Sequence, residues 1–182
     1  MSKRTPGLPQ RPRGFWPTPR EAVVPLIPYL PRRALYGEPC AGDGALIAHL
    51  RDLWPGGKIL WASDIEPQAE GILQFDALDL DGEGSCPEMF VTNPPWPRIG
   101  QKGDPALSII RHLLTIAPVW AILPWDFAAN DYFRTLITQC SDIVPVGRVK
   151  WIPDSPCAGV DNCAWYRFDA QNRHPATLRP RA

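Results

Sequence analysis

Apolar residues along this chain fall into short runs broken by turn residues, and the runs alternate between two periodicities. Residues 34–36, 58–62, 89–92 and 119–123 are brief apolar segments that predict strands. Residues 45–53 and 106–117 repeat apolar positions at helical spacing, and 131–140 predicts a further helix. Ahead of these, Pro19-Arg20-Glu21 opens an amphipathic stretch to about Leu30, which Pro31 stops. Two strands, 143–149 and 163–168, close the pattern with no helix between them. Strands alternating with helices predict an α/β fold with a mostly parallel sheet covered on both faces. Parallel neighbours need a long crossover, so the closing pair predicts an antiparallel end.

Composition narrows this to one globular unit. A chain of 182 residues, 45% hydrophobic and 21% charged, is the size of a single domain. The pattern bounds that domain at 15–170, with a flexible, basic, Pro-rich arm at 1–14 and a basic tail at 171–182. The 23 prolines are spread through the chain and predict stiff turns rather than a repeat. No apolar run approaches the roughly 18 residues of a membrane span. Residues 1–14 lack the apolar stretch of a signal peptide. Cys40, Cys86, Cys140, Cys157 and Cys163 are odd in number and have no CxxC spacing, so neither a disulfide framework nor a zinc site is expected. Together these predict a cytoplasmic protein without a metal or a membrane partner.

A net charge of zero conceals an asymmetry. Seven Lys or Arg precede Glu38 against one acid, whereas residues 38–104 hold twelve acids against four bases. Basic ends suit phosphates and an acidic middle suits a cationic cofactor, although a basic tail reads equally well as a solubilising one.

Two clusters carry candidate chemistry. In the first, Glu38-Pro39-Cys40-Ala41-Gly42-Asp43-Gly44 follows a strand and leads into a helix. Its glycines allow a tight turn and close approach to a ligand. Its carboxylates are unwelcome beside a phosphate but suit a ligand bearing an ammonium and a sulfonium. About twenty residues on, Asp64 ends the next strand, where a carboxylate can accept ribose hydroxyls. Farther on, Asp76 offers an acceptor for an adenine amino group, with Ala77 as an apolar neighbour. Singly, Asp64 or Asp76 reads as a helix cap or a solvated acid; three such loops in this order point to a site.

The second cluster is Asn93-Pro94-Pro95-Trp96, at the end of an apolar run. A strand there delivers Asn93 to the sheet edge where ligands bind in open α/β folds. The Asn side-chain oxygen and the Pro94 carbonyl can accept both hydrogens of one NH₂ group. The two prolines stiffen the backbone and remove competing donors. Trp96 offers a face on which a base can stack.

These residues resemble the amino-methyltransferases of the class I S-adenosylmethionine-dependent superfamily. Asn93-Pro94-Pro95-Trp96 matches their Asn/Asp-Pro-Pro-aromatic motif, and 38–44 is similar to their glycine-rich cofactor loop. Phe15-Trp16-Pro17-Thr18-Pro19 resembles the N-terminal cofactor motif of DNA adenine N6-methyltransferases. The resemblance spans about residues 15–168 and implies a Rossmann-like, doubly wound, seven-stranded sheet with its last strand antiparallel. It implies S-adenosyl-L-methionine as cofactor and DNA as partner. Phe15 and Thr18 would then touch the methionine part, Asp64 the ribose and Asp76 the adenine. Trp16, Glu38, Cys40, Ala41, Gly42, Gly44, Ile65, Ala77 and Asn93 complete the implied cofactor contacts. Asn93, Pro94, Pro95 and Trp96 would carry the chemistry on a flipped-out base, with N6 of adenine expected and N4 of cytosine the nearest alternative. An RNA or protein amide substrate, or a non-catalytic nucleic-acid-binding subunit, are the further readings.

Relatives with this motif order usually carry a separate recognition domain, and here the chain ends soon after the last predicted strand. Recognition is therefore expected from loops, the arm or a separate subunit. Loop candidates are Arg98 and Lys102 in 97–105, and Lys150 and Trp151 in 150–162, although both loops also read as plain connections. Lys150 and Trp151 also read as lining the base pocket. Trp120 and Trp165 are expected in the core, and His49, His112 and His174 lack metal-like spacing.

Overall fold

The computed structural model describes residues 16–96, 104–152 and 161–181. Eight strands form one mixed sheet: β1 (Ala34–Glu38), β2 (Gly57–Asp64), β3 (Leu73–Gln74), β4 (Met89–Thr92), β5 (Val119–Pro124), β6 (Cys140–Gly147), β7 (Cys163–Phe168) and β8 (Thr177–Leu178). Their order across the sheet is β3-β2-β1-β4-β5-β7-β6-β8. Strands β1 to β5 pair in parallel, and β7 inserts antiparallel between β5 and β6. The order reverses at β1, between β2 and β4, which is the switch point where open α/β sheets take their ligands.

The strands that carry the core are apolar on both faces, as a sheet covered on both sides requires. Successive residues alternate between two clusters. Phe90, Ala121, Leu123, Tyr166 and Phe168 pack with helix α3 (Pro105–Leu113), while Val91, Trp120, Ile122 and Trp165 pack with α1 (Arg20–Val23) and α2 (Ala45–Leu53). Trp120 and Trp165 lie in the second cluster, as the sequence predicts.

Four departures from the sequence pattern have local causes. The amphipathic stretch from Pro19 to about Leu30 is not one continuous α-helix: a single α-helical turn is followed by a 3₁₀ helix at Val24–Tyr29 containing Pro25 and Pro28, which cannot supply α-helical N–H bonds. The helix predicted at 131–140 is instead two 3₁₀ turns, Asp131–Thr135 and Ile137–Gln139. Its residues are mostly aromatic, β-branched or Asp, which hold an α-helix weakly. Helix α3 stops at Leu113 rather than Ala117, with a tighter turn from Thr115 N–H to the His112 carbonyl ahead of Pro118. The sheet has eight strands, one more than the resemblance implies; the six strands read from the pattern are joined by β3 and β8, two-residue edges too short to leave a periodic signal.

Within 171–182, predicted as a tail, β8 pairs in parallel with β6 at Asp142 and Ile143. Arg179 then binds the Asp142 carboxylate at 2.6 Å and lies over the Tyr29 ring. Among the described residues no helix is long and apolar enough to cross a membrane. No group of His, Cys, Asp and Glu among them is arranged to hold a metal ion.

Candidate functional site

The C-terminal ends of β1, β2 and β4 bring the two sequence clusters together. Strand β1 ends at Glu38, β2 at Asp64, and β4 runs directly into Asn93. After β1 the backbone must reverse within a few residues to enter α2. Gly42 and Gly44 do this at φ of 53° and 79°, values that L side chains rarely adopt. Gly44 is the N-cap of α2.

Four N–H groups of this loop are used internally. Cys40 N–H donates to Glu38 Oε1 at 3.1 Å and Ala41 N–H to the Ser63 carbonyl at 2.9 Å. Gly42 N–H donates to Asp64 Oδ2 at 2.8 Å and Gly44 N–H to the Ala41 carbonyl at 2.7 Å. A phosphate-binding loop needs those donors pointing outward at the ligand. Here they are turned onto acids and carbonyls, and Asp43 takes the Ala45 N–H at the start of α2.

Glu38 is fully buried. Its Oε1 also accepts from Thr92 Oγ1 at 2.6 Å, while Oε2 is buried with no hydrogen-bond partner among the described residues. Burial is the largest influence on this carboxyl and pushes it up to about 8; the bonds from Thr92 and Cys40 pull the other way, and nearby Asp64 adds to the rise. The same cluster holds the Cys40 thiol well above its usual range, through burial first and then the charges of Glu38, Asp64 and Asp76.

Asp64 is half-buried, and its Oδ1 accepts from the Glu66 N–H at 2.8 Å. Each of its oxygens keeps a second acceptor position. Asp76 Oδ1 accepts from the Leu78 N–H at 2.9 Å, capping a short 3₁₀ turn at Ala77–Asp79. Ala77 is packed into the core, whereas Ile65 and Leu78 are exposed apolar side chains beside Asp64 and Asp76.

Asn93 follows the Thr92 that holds Glu38. Its Nδ2 lies 3.3 Å from the Trp16 carbonyl and 3.1 Å from Thr18 Oγ1. A carbonyl only accepts, so the NH₂ end of the amide must face Trp16, and Oδ1 is left as the acceptor for something else. Pro94 is buried, and Pro95 and Trp96 are half-buried. The Trp96 indole donates to the Ile122 carbonyl at 3.0 Å and meets Trp151 edge-on, with ring centroids 5.1 Å apart. Lys150 is exposed and lines an open depression with Pro19, Arg20, Glu21 and Val24; its N–H donates to Glu21. Phe15, Arg98 and Lys102 lie outside the described residues.

Sequence reasoning missed Thr92 and the Ser63 carbonyl. A hydroxyl residue closing an apolar strand immediately before Asn93 was the available signal for Thr92. Nothing local marks Ser63, whose role comes from backbone pairing across the loop.

Neither a protein-family model nor a curated protein matches the chain. Solved structures do. A candidate class I S-adenosylmethionine-dependent methyltransferase from Listeria monocytogenes aligns with a TM-score of 0.63 at 9% identity, over 94% of this chain and 67% of that one. A modification subunit of a candidate type I restriction enzyme from Vibrio vulnificus gives 0.58 at 12% identity over 92% of this chain. The chain spans 47% of that subunit's length. A candidate RNA methyltransferase from Pyrococcus horikoshii gives 0.58 at 14% identity, over 91% and 93% of the two chains. At these identities the likeness is one of fold, and the fold is the Rossmann-like α/β fold of class I methyltransferases.

Proposed function

We propose that the chain is an S-adenosylmethionine-dependent methyltransferase acting on an exocyclic amino group of a nucleic-acid base, N6 of adenine in DNA. One observation carries the reading. The Thr92 hydroxyl bonds Glu38, and the next residue is Asn93, so a buried acid whose Oε2 has no hydrogen-bond partner among the described residues is tied next to an amide whose NH₂ end is held by Trp16 and Thr18.

The loop chemistry fits that cofactor. Oε2 of Glu38 has no hydrogen-bond partner among the described residues, and a buried polar atom in that state costs on the order of 1–3 kcal/mol; an ammonium group would relieve it once the carboxyl gives up its proton. The inward-turned loop N–H groups disfavour a phosphate. Asp64 keeps acceptor positions for ribose hydroxyls, and the exposed Ile65 and Leu78 offer apolar faces for an adenine ring. When bound, S-adenosylmethionine supplies an electrophilic methyl group on a sulfonium.

The protein's own residues act on the acceptor nitrogen. Asn93 Oδ1 and the Pro94 carbonyl accept the two hydrogens of the target NH₂, drawing the nitrogen lone pair out of ring conjugation. Trp96, its indole anchored on Ile122, presents a fixed face for the base, and Trp151 stands edge-on beside it. Holding the nitrogen in line with the methyl is where most of the rate arises. A base inside a duplex cannot reach such a pocket, so the target is flipped out. DNA is favoured over RNA by the resemblance of 15–19 to the N-terminal motif of DNA adenine methyltransferases, and one fold neighbour is a restriction-system modification subunit. Recognition then rests on loops and on Lys150, or on a separate subunit.

The test is transfer of label from S-adenosylmethionine to unmodified genomic DNA, with products digested to nucleosides and identified by mass. N6-methyladenine from the wild type and none from Asn93→Ala is the expected result. N4-methylcytosine would correct the target base, and an unlabelled product from protein that binds the cofactor would refute the DNA reading.

A further inference from the structure

We propose that Thr18 is a positioning residue for Asn93: its hydroxyl, with the Trp16 carbonyl, sets the plane of the Asn93 amide and aims Oδ1 at the amino group to be methylated. The inference rests on the amino-methyltransferase reading and deepens it.

The geometry is specific to these two acceptors. The Asn93 NH₂ has two hydrogens, and two oxygens lie within reach, at 3.3 Å on Trp16 and 3.1 Å on Thr18. An unrestrained Asn amide turns in a broad torsional well, because its last torsion joins an sp³ to an sp² carbon. Two acceptors on one nitrogen close that well. The Thr18 hydroxyl alone would leave the amide's sense undecided, since it can donate or accept; the Trp16 carbonyl decides it.

The acceptors are themselves held. Trp16 precedes Pro17 and Thr18 precedes Pro19, and a residue before proline is confined to extended conformations. Thr18 is β-branched, which restricts its first side-chain torsion, and it is 4% exposed. Beyond it the segment is tied at three further points. Arg20 pairs with Asp52 on α2, Glu21 accepts the Lys150 N–H, and the Ala22 carbonyl accepts the Trp165 indole at 2.8 Å. The orientation of Asn93 is thus fixed by a segment some 75 residues earlier in the chain. A residue that only touched the cofactor would not need this arrangement, and the two roles give different kinetics.

The experiment compares Thr18→Val, which keeps the shape and removes the hydroxyl, with Thr18→Ser, which keeps the hydroxyl. Cofactor affinity, kcat and KM for DNA are measured on each. The side-chain NH₂ resonances of ¹⁵N-labelled, ligand-free protein are recorded alongside, the Asn93 pair being identified by its loss in Asn93→Ala. Thr18→Val is expected to lower kcat about three- to tenfold, the worth of one hydrogen bond, with cofactor affinity changed less than about twofold. Its Asn93 resonances move toward those of solvated amides, while Thr18→Ser retains both kcat and the wild-type resonances. Weakened cofactor binding at unchanged kcat overturns the proposal, as do Thr18→Ser behaving like Thr18→Val or Asn93 resonances that ignore Thr18→Val. A wild-type protein that methylates no nucleic acid overturns the parent reading instead, and the resonances separate the two failures because they need no turnover.

Discussion

Replacing Glu38 with Gln tests the acid cage without any ligand. The carboxyl is fully buried, spends Oε1 on Cys40 and Thr92, and has no partner at Oε2. Its ordinary value of 4.5 is pushed to about 8, mainly by burial. Between those values the folded chain keeps a proton that the unfolded chain has lost, so rising pH costs stability across that window. The contribution is fully present below 4.5 and gone once the pH has passed about 8. Its size is on the order of 5 kcal/mol, an upper bound because a buried charged carboxylate would draw in water. Glutamine does not titrate, yet its carbonyl can still accept from Cys40 and Thr92. Urea unfolding of both proteins from pH 5 to 9 should therefore show the variant gaining on the wild type by several kcal/mol. Curves that stay parallel within about 1 kcal/mol would mean that Glu38 is not the isolated buried acid described, and the reasoning would fail. With the proposed cofactor the sign carries over. An ammonium beside Oε2 favours the carboxylate, so binding near pH 7 should release about one proton from the wild type and none from Glu38→Gln. Calorimetry in buffers of different ionisation heat measures that number directly.

Three further outcomes can be checked on the free protein. Gly44→Ala should lower stability by about 1–2 kcal/mol in thermal unfolding, because the cost is the positive φ of 79° rather than a clash: an added Cβ meets only Ile72 Cδ1, at 3.7 Å. Gly44→Asn should cost less, since Asn tolerates that backbone region better. Trp165→Phe should cost about 1–3 kcal/mol in urea unfolding, because the Ala22 carbonyl loses its buried donor. Arg179→Ala breaks a half-exposed ion pair with Asp142 and should shift the urea midpoint by the equivalent of less than about 1 kcal/mol, while limited proteolysis of 177–181 speeds up.

The fold was legible wherever burial on both faces wrote itself into the sequence. Phe90 and Val91 point to opposite clusters, as do Ala121 and Ile122, and such runs read as strands between helices. Strands β3 and β8 were invisible because two residues carry no period; their pairing is decided by β2 and β6. The 131–140 segment misled for a related reason. Phe133, Leu136 and Cys140 recur at a spacing that an α-helix and successive 3₁₀ turns share, so the pattern located the buried face but not the hydrogen bonding.

In the candidate site, the sequence marked candidates and not their partnerships. Glu38, Asp64 and Asn93 were proposed from residue type at or beside strand ends and Asp76 from residue type and its apolar neighbour, but which atom meets which depends on chain segments far apart in sequence. The three acids look alike in the sequence and differ in space. Asp64 spends an acceptor position of each oxygen on the loop and its flank, and Asp76 caps the turn that follows it, so both shape the backbone around the site. Glu38 alone of the three combines full burial with an oxygen that has no hydrogen-bond partner among the described residues. A chain selected only to fold would put Gln or an apolar residue there, since a buried carboxyl with one vacant oxygen opposes folding. Local rules broken in an otherwise consistent fold tend to mark function, and this carboxyl bonds the Cys40 N–H in the turn before α2 and the Thr92 hydroxyl next to Asn93. The feature that burdens the fold is thus the one a cationic ligand would relieve, which is why Glu38, rather than the better-satisfied Asp64, is the residue whose titration reports on the proposed site.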